Sequence, residues 1–181
     1  MFLVALAGFL PVHRADAGVT GPSVQSDQVV VTRTDEGFTV DVNIVVPVPI
    51  SVAWAVITDF QHMTEFVPNL TESQVLERNR KGIRVRQKGY KRIGPFTFDF
   101  EYLREIQMTP ESELRAHGVG GSFKRIETFT RLKAVGQGTR LEYHVDAQPD
   151  FWVPPLIGPH ILRDQTAEQF SALVAEMIKR R

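Results

Sequence analysis

Val46-Pro47-Val48-Pro49-Ile50-Ser51-Val52-Ala53-Trp54-Ala55-Val56-Ile57-Thr58-Asp59-Phe60, followed shortly by Phe66-Val67-Pro68-Asn69-Leu70, is the stretch on which the fold of this chain turns. A β-branched run ends at Pro47 and Pro49, because proline cannot donate to a sheet ladder. The chain then passes into a short apolar helix carrying Val52, Trp54, Val56 and Ile57, which stops at Thr58-Asp59-Phe60. A strand resumes at Asn69-Leu70. Upstream, Phe38, Val40, Val42, Ile44 and Val46 alternate with Thr39, Asp41 and Asn43, the period-two pattern of a half-buried strand. Val29 to Thr34 pairs with it as a hairpin across Asp35-Glu36-Gly37.

Downstream, Thr71 to Arg78, Ile83 to Lys91, Phe96 to Ile106, Glu113 to His117, Phe123 to Ala134 and Thr139 to Ala147 read as strands. Turn signals separate them at Asn79-Arg80-Lys81-Gly82, Gly94-Pro95, Gly118-Val119-Gly120-Gly121 and Gly136-Gln137-Gly138, which predicts an antiparallel meander. Phe170, Leu173, Val174, Met177 and Ile178 then share one face of a long C-terminal helix. Leu156, Ile157, Ile161 and Leu162 extend that stripe backwards, with Gly158-Pro159 as a kink or helix start. Lys179, Arg180 and Arg181 sit where cations complement the helix dipole. A single domain over residues 28–181 is expected, after a polar, Gly/Pro-containing spacer over 18–27.

The element order, together with Trp54, Asp59-Phe60, Phe66-Val67-Pro68-Asn69, and Tyr143 leading to Pro149-Asp150-Phe151-Trp152-Val153-Pro154, resembles the polyketide cyclase/dehydrase and coenzyme-Q-binding type domains of the START-like (SRPBCC) superfamily. The resemblance covers nearly all of Val29 to Arg181. It implies an α+β helix-grip fold: a curved antiparallel sheet wrapped around a long C-terminal helix, with two short helices after the first strands and an apolar cavity inside. The quoted residues are fold markers and say little about the ligand.

Composition narrows the partners. Lys plus Arg is 21 and Asp plus Glu is 21, a formal net charge of zero. Nucleic-acid binders owe their affinity to neutralised phosphates and usually carry a basic excess, so no nucleic-acid partner is expected. The absence of cysteine excludes disulfides, thiol nucleophiles and thiolate metal sites. Phe2 to Val12 is an apolar run too short to span a bilayer, followed by Ala15-Asp16-Ala17. That length and small-residue pattern predict a secretory signal over residues 1–17, cleaved after Ala17, and a periplasmic or secreted protein. No Lys or Arg precedes the run.

Strand parity sorts the residues that could carry chemistry. Ile83, Val85, Gln87 and Gly89 point inward, whereas Arg84, Arg86 and Lys88 point outward. With Arg78, Arg80, Lys81, Lys91 and Arg92 these outward residues form a local basic face, either a solvated exterior or a contact for an anionic membrane surface or acidic partner. Phe96, Phe98, Phe100 and Tyr102 share one face of the next strand, and Arg104 follows their parity. A buried, unpaired guanidinium is very costly. Arg104 is therefore expected to pair with a residue such as Glu127, reach the cavity mouth, or meet a polar ligand head. Tyr143 lies on the inward face of a later strand, flanked by Leu141 and Val145.

The expected ligand-lining set is thus Trp54, Val85, Gln87, Phe96, Phe98, Phe100, Tyr102, Arg104, Tyr143, Phe151, Trp152, Phe170, Leu173 and Met177. The loop from Pro149 to Ile157 is hydrophobic packing, an entrance lid, or a Trp/Phe tip that dips into a membrane interface. The histidines (His13, His62, His117, His144 and His160) show no metal-ligand spacing, so no metal site is expected. With no P-loop or Gly-x-Gly-x-x-Gly present, no cofactor is expected either.

Three functions remain open on the sequence. The first is non-covalent binding of a lipid, quinone or polyketide-like molecule in the cavity, as carrier or sensor. The second is a cyclase or dehydratase, for which Tyr143, Arg104, Glu127 and His117 are the only candidate catalytic residues. The third is a protein-interaction module without a ligand. Oligomeric state is not encoded in any recognisable pattern.

Overall fold

The computed structural model describes residues 23–80, 82–93, 96–150 and 159–181, with the side chains of residues 91–93, 96 and 98 outside that description. A hairpin of β1 (Val29–Arg33) and β2 (Phe38–Val46) opens the domain, followed by α1 (Ile50–Ile57) and α2 (Met63–Phe66). Six further strands follow: β3 (Leu70–Asn79), β4 (Gly82–Ile93), β5 (Phe96–Thr109), β6 (Glu113–Gly121), β7 (Phe123–Val135) and β8 (Gly138–Pro149). The helix α3 (Pro159–Lys179) closes the chain. All eight strands form one antiparallel sheet in the order β1-β2-β8-β7-β6-β5-β4-β3. This is the helix-grip arrangement anticipated above.

The proline-flanked stretch does what its residues dictate. Pro49 supplies the N-cap of α1, and the backbone N–H groups of Val52 and Ala53 donate to its carbonyl at 3.0 and 3.1 Å. Val48, between the prolines, is fully buried, and its carbonyl accepts a hydrogen bond from the buried Thr139 hydroxyl at 2.8 Å. Asn69 adopts φ 62°, a left-handed conformation that asparagine tolerates, and so turns the chain into β3.

Apolar side chains on the concave face separate into two core clusters. The larger joins Val29, Val40, Val42 and Ile44 of the hairpin to Leu141, Val145, Val56, Phe170 and Met177. The smaller joins Phe60 and Met63 to Ile83, Val85, Ile106, Leu114 and Ala116. Parity on β4 is as expected, with Ile83, Val85 and Gln87 buried.

Two expectations change. Residues 23–27 are not a free spacer: Val24 is buried, its N–H donates to Ser171 Oγ at 2.9 Å, and the Ser26 hydroxyl donates to Asp164 at 2.7 Å. Gly118 to Gly121 is not a turn but the end of β6; the chain reverses only at Ser122, whose N–H donates to the Glu101 carbonyl at 2.9 Å. Within it, Leu103 faces Gly120 while Arg104 faces Gly118, so Val119 is an extra residue, a β-bulge. The outward cations of β4 are ion-paired with neighbouring carboxylates. Arg84 meets Glu105 at 2.5 Å, and Arg86 and Lys88 meet Glu72 at 2.8 and 3.2 Å. Residues 1–17 and the loop from 151 to 158 lie outside the described residues.

A polar clasp holds the α1–α2 segment to the end of α3. Arg180 donates to Asp59 at 2.8 Å and to Glu176 at 2.7 Å, and lies 5.4 Å from the Phe66 ring centroid. His62 approaches Asp59 at 2.6 Å. Burial pushes the Asp59 carboxyl up, but hydrogen bonds from Arg180 and His62 outweigh this and hold it below its ordinary 3.8. The hydrogen bond to Asp59 raises His62 above its ordinary 6.5. The Asp59 contribution is therefore present above about pH 4 and lost as pH falls through its lowered value. That of His62 is complete below about pH 6.5 and lost as pH rises through its raised value. Thermal melting across pH 3–8 is expected to show both limbs, and Asp59→Asn to flatten both; Arg180→Met should lower stability by about 1–2 kcal/mol.

Candidate functional site

The two core clusters do not close on each other. Between them lies a cavity of about 280 Å³, walled by the concave sheet, α1 and α2, and α3. Ile57, Phe60 and Met63 contribute from the short-helix segment, Leu162, Thr166, Gln169, Phe170 and Leu173 from α3, and the remainder come mainly from the strands.

Aromatic rings are held in place by one another. Tyr102 lies between Phe100, with centroids 4.9 Å apart, and Phe123 at 5.2 Å. Tyr143 meets Phe170 edge-on at 5.1 Å. Phe100 owes its position to Gly89, its partner across β4 and β5: a Cβ there would lie 2.5 Å from Phe100 Cζ and 2.3 Å from the Asn69 carbonyl oxygen. Gly121, at φ 104°, faces Tyr102, and a side chain there would strike the Glu101 carbonyl at 2.2 Å.

Arg104 is the one charged side chain lining the cavity among the described residues. Its Nη2 donates to the Gln87 carbonyl oxygen, and its guanidinium lies 5.6 Å from the Tyr102 ring centroid. Gln87 is oriented by its other end, since its amide nitrogen donates to Ser73 Oγ at 3.0 Å and approaches Met63 Sδ at 3.2 Å. The Ser73 hydroxyl in turn donates to the Phe60 carbonyl. Arg104 Nε is buried without a hydrogen-bond partner, and so is Thr128 Oγ1 on β7. No carboxylate pairs with Arg104 among the described residues. Burial works against its charged form, partly offset by the nearby phenols of Tyr143 and Tyr102. Burial also pushes the Tyr102 phenol up to about 12, and that of Tyr143 up as well.

Of the residues expected at the site, Gln87, Phe100, Tyr102, Arg104, Tyr143, Phe170 and Leu173 line the cavity. Val85 and Met177 are fully buried in the two core clusters instead. Trp54 packs against the larger cluster, and Ile57, one turn on, takes the cavity position. The expected Arg104–Glu127 pair does not form. Glu127 is exposed on the convex face opposite His117 and Asp146, and His117 sits there 3.4 Å from Glu105. Odd and even positions on adjacent strands put these groups on opposite sides of the sheet from Arg104. The side chains of Phe96 and Phe98, and the whole of Phe151 and Trp152, lie outside the described residues. Thr128 and Thr130 were missed, although their alternation with Phe129 was a readable signal. No group of three His, Asp or Glu side chains is arranged to hold a metal ion among the described residues.

Residues 46–165 match the family described as polyketide cyclase / dehydrase and lipid transport. The chain belongs to that family. Its fold is that of the START-like superfamily, seen in a START superfamily protein from Mycobacterium smegmatis at TM-score 0.67 and 15% identity, covering 79% of this chain and 99% of that one. The Zhui aromatase/cyclase from Streptomyces sp. R1128 is similar at TM-score 0.62 and 13% identity, with 78% and 94% covered. A STAR-related lipid transfer protein from Xanthomonas axonopodis gives TM-score 0.62 at 12% identity, with 84% and 99% covered. No curated protein sequence matches this chain.

Two outcomes test this geometry. In alkaline titration followed by tyrosinate absorbance, Tyr102 is expected to ionise near 12 rather than at its ordinary 10.0, and Tyr102→Phe to remove that late component. Because the unfolded phenol ionises first, stability should fall as pH rises from about 10 to about 12. Gly89→Ala should lower stability by about 1–3 kcal/mol through overpacking, and force the Phe100 ring to move.

Proposed function

We propose that this chain binds a hydrophobic small molecule (a lipid, quinone or polyketide-like compound) in the cavity and acts as an exported carrier or sensor. The observation that carries this reading is the roughly 280 Å³ of space between the two core clusters. Drug-sized ligand pockets span about 300–1,000 Å³, so this one suits a single ring system or a short chain. The longer part of a larger lipid would have to extend outside. The family description, and the names of the lipid transfer protein and aromatase/cyclase with this fold, support a hydrophobic ligand.

Binding is favoured over cyclisation by what the walls contain. General base catalysis needs a group that accepts a proton near the working pH. No carboxylate or imidazole lines the cavity among the described residues, and burial pushes both its phenols upward, away from that role. Burial of about ten methylenes would supply on the order of 8 kcal/mol gross, before association costs of several kcal/mol. Micromolar or weaker affinity suits a carrier that must also release. Export rests on the apolar run Phe2 to Val12 and on Ala15-Asp16-Ala17.

Native mass spectrometry of protein recovered from a bacterial periplasm, with organic extraction, is expected to show a polypeptide beginning at Gly18 with a stoichiometric apolar adduct. Leu173→Trp, which fills the cavity from the α3 side, should lose the adduct while keeping its circular dichroism spectrum. Wild-type protein that carries no adduct, and takes up neither a C10 alcohol nor a short-chain quinone, would exclude the carrier reading.

A further inference from the structure

We infer that the ligand of this cavity is an amphiphilic monoanion, an apolar body ending in a carboxylate or equivalent oxyanion, whose head group is bound by Arg104. This rests on the cavity being a ligand site, and goes beyond that reading by fixing the chemistry of one end of the ligand.

The argument begins from an imbalance. Arginine remains charged in proteins and carries five N–H donors. In Arg104, Nη2 is satisfied by Gln87, while Nε is buried with no partner. Four other arginines of the sheet meet carboxylates, Arg84 with Glu105, Arg86 with Glu72, Arg125 with Asp146 and Arg131 with Glu113, although Arg84 Nε is likewise buried without a partner. Arg104 has none, although buried charges are normally paired. Its charge-bearing neighbours in the cavity are two phenols, Tyr102 and Tyr143, both held neutral by burial. One positive charge in an otherwise uncharged cavity calls for one negative charge from outside the chain.

Gln87 makes the site a built one. Its carbonyl is aimed at Arg104 because its amide nitrogen is committed to Ser73, which is itself anchored to the Phe60 carbonyl. That chain of hydrogen bonds fixes one edge of the guanidinium at the cavity wall. The bulge at Val119 lies next to Gly118, the partner of Arg104, and adds local twist there. A single guanidinium matches a carboxylate or other monoanion better than a phosphate monoester, which carries about −1.5 to −2 at neutral pH. The apolar remainder of the cavity, from Ile57 and Phe60 to Leu173, takes the body of the molecule.

The test compares decanoate, 1-decanol and acetate by calorimetry on the mature protein. Wild type is expected to bind decanoate at least about tenfold more tightly than 1-decanol, the scale of one charge-assisted hydrogen-bonded contact. Acetate, which has the head group but no body, should show no measurable binding at the same concentrations. Arg104→Met should abolish the preference, leaving 1-decanol affinity within about threefold of wild type. Equal affinity of wild type for acid and alcohol overturns the inference and leaves the carrier reading standing. Failure of both to bind overturns the carrier reading and this inference together. Failure of Arg104→Met to fold would mark Arg104 as structural and also overturn the inference.

Discussion

One constraint shapes this molecule: a single helix has to cover a sheet far wider than itself. Eight strands spaced at about 4.8 Å make a sheet roughly 34 Å across, whereas a helix with its side chains is about 10–12 Å thick. Curvature brings the edges inward, but α3 still seals only part of the concave face. It packs with β1, α1 and the hairpin side of the sheet, where Phe170, Val174 and Met177 complete the larger cluster. On the β4–β6 side, α2 and Phe60 do the covering. The cavity is where neither cover reaches, and its walls draw on both clusters. The clasp at Arg180 serves the same constraint, because it ties the α1–α2 segment to the end of α3.

The polar groups divide along the same line. On the convex face, charges of both signs interleave across strands, and such exposed pairs contribute little individually. Among the described residues the cavity is lined by one charge, at Arg104, and both Arg104 Nε and the Thr128 hydroxyl lack a hydrogen-bond partner. Partly satisfied polar groups inside a protein are expensive, so the interesting electrostatics of this neutral chain are concentrated in its interior. The Gln87–Ser73–Phe60 chain of hydrogen bonds runs from that interior to the turn between α1 and α2. It therefore couples the guanidinium to the segment that walls the cavity.

Much of this was legible before any coordinates. The alternation of Phe38 to Val46 and the proline punctuation at Pro47 and Pro49 predict the hairpin and the helix that follows. Parity along β5 correctly turns Arg104 inward with Tyr102, because the nearby bulge inserts its extra residue in β6 and leaves β5 in register with β4. The same glycines that create the bulge explain the misreading of Gly118 to Gly121 as a turn. Glycine marks both a reversal and a place where backbones approach too closely for a side chain, and composition does not separate the two. Trp54 was misplaced for a different reason: on an eight-residue helix apolar on several sides, periodicity cannot choose which face meets the cavity and which the core. Docking of Val24 on α3 depends on a hydrogen bond to Ser171 across the whole length of the chain, beyond any local pattern.

Open space and an unpaired charge are each departures from a well-packed interior, and here they coincide. A few larger side chains on α3 would fill much of that space, and an apolar residue at 104 would remove the charge. Both changes are short mutational steps, and filling the space would be expected to stabilise the free protein. Departures of this kind are usually found at functional sites, where stability is given up for binding. Their meeting in one cavity is explained most simply by one ligand that occupies the void and neutralises the charge together.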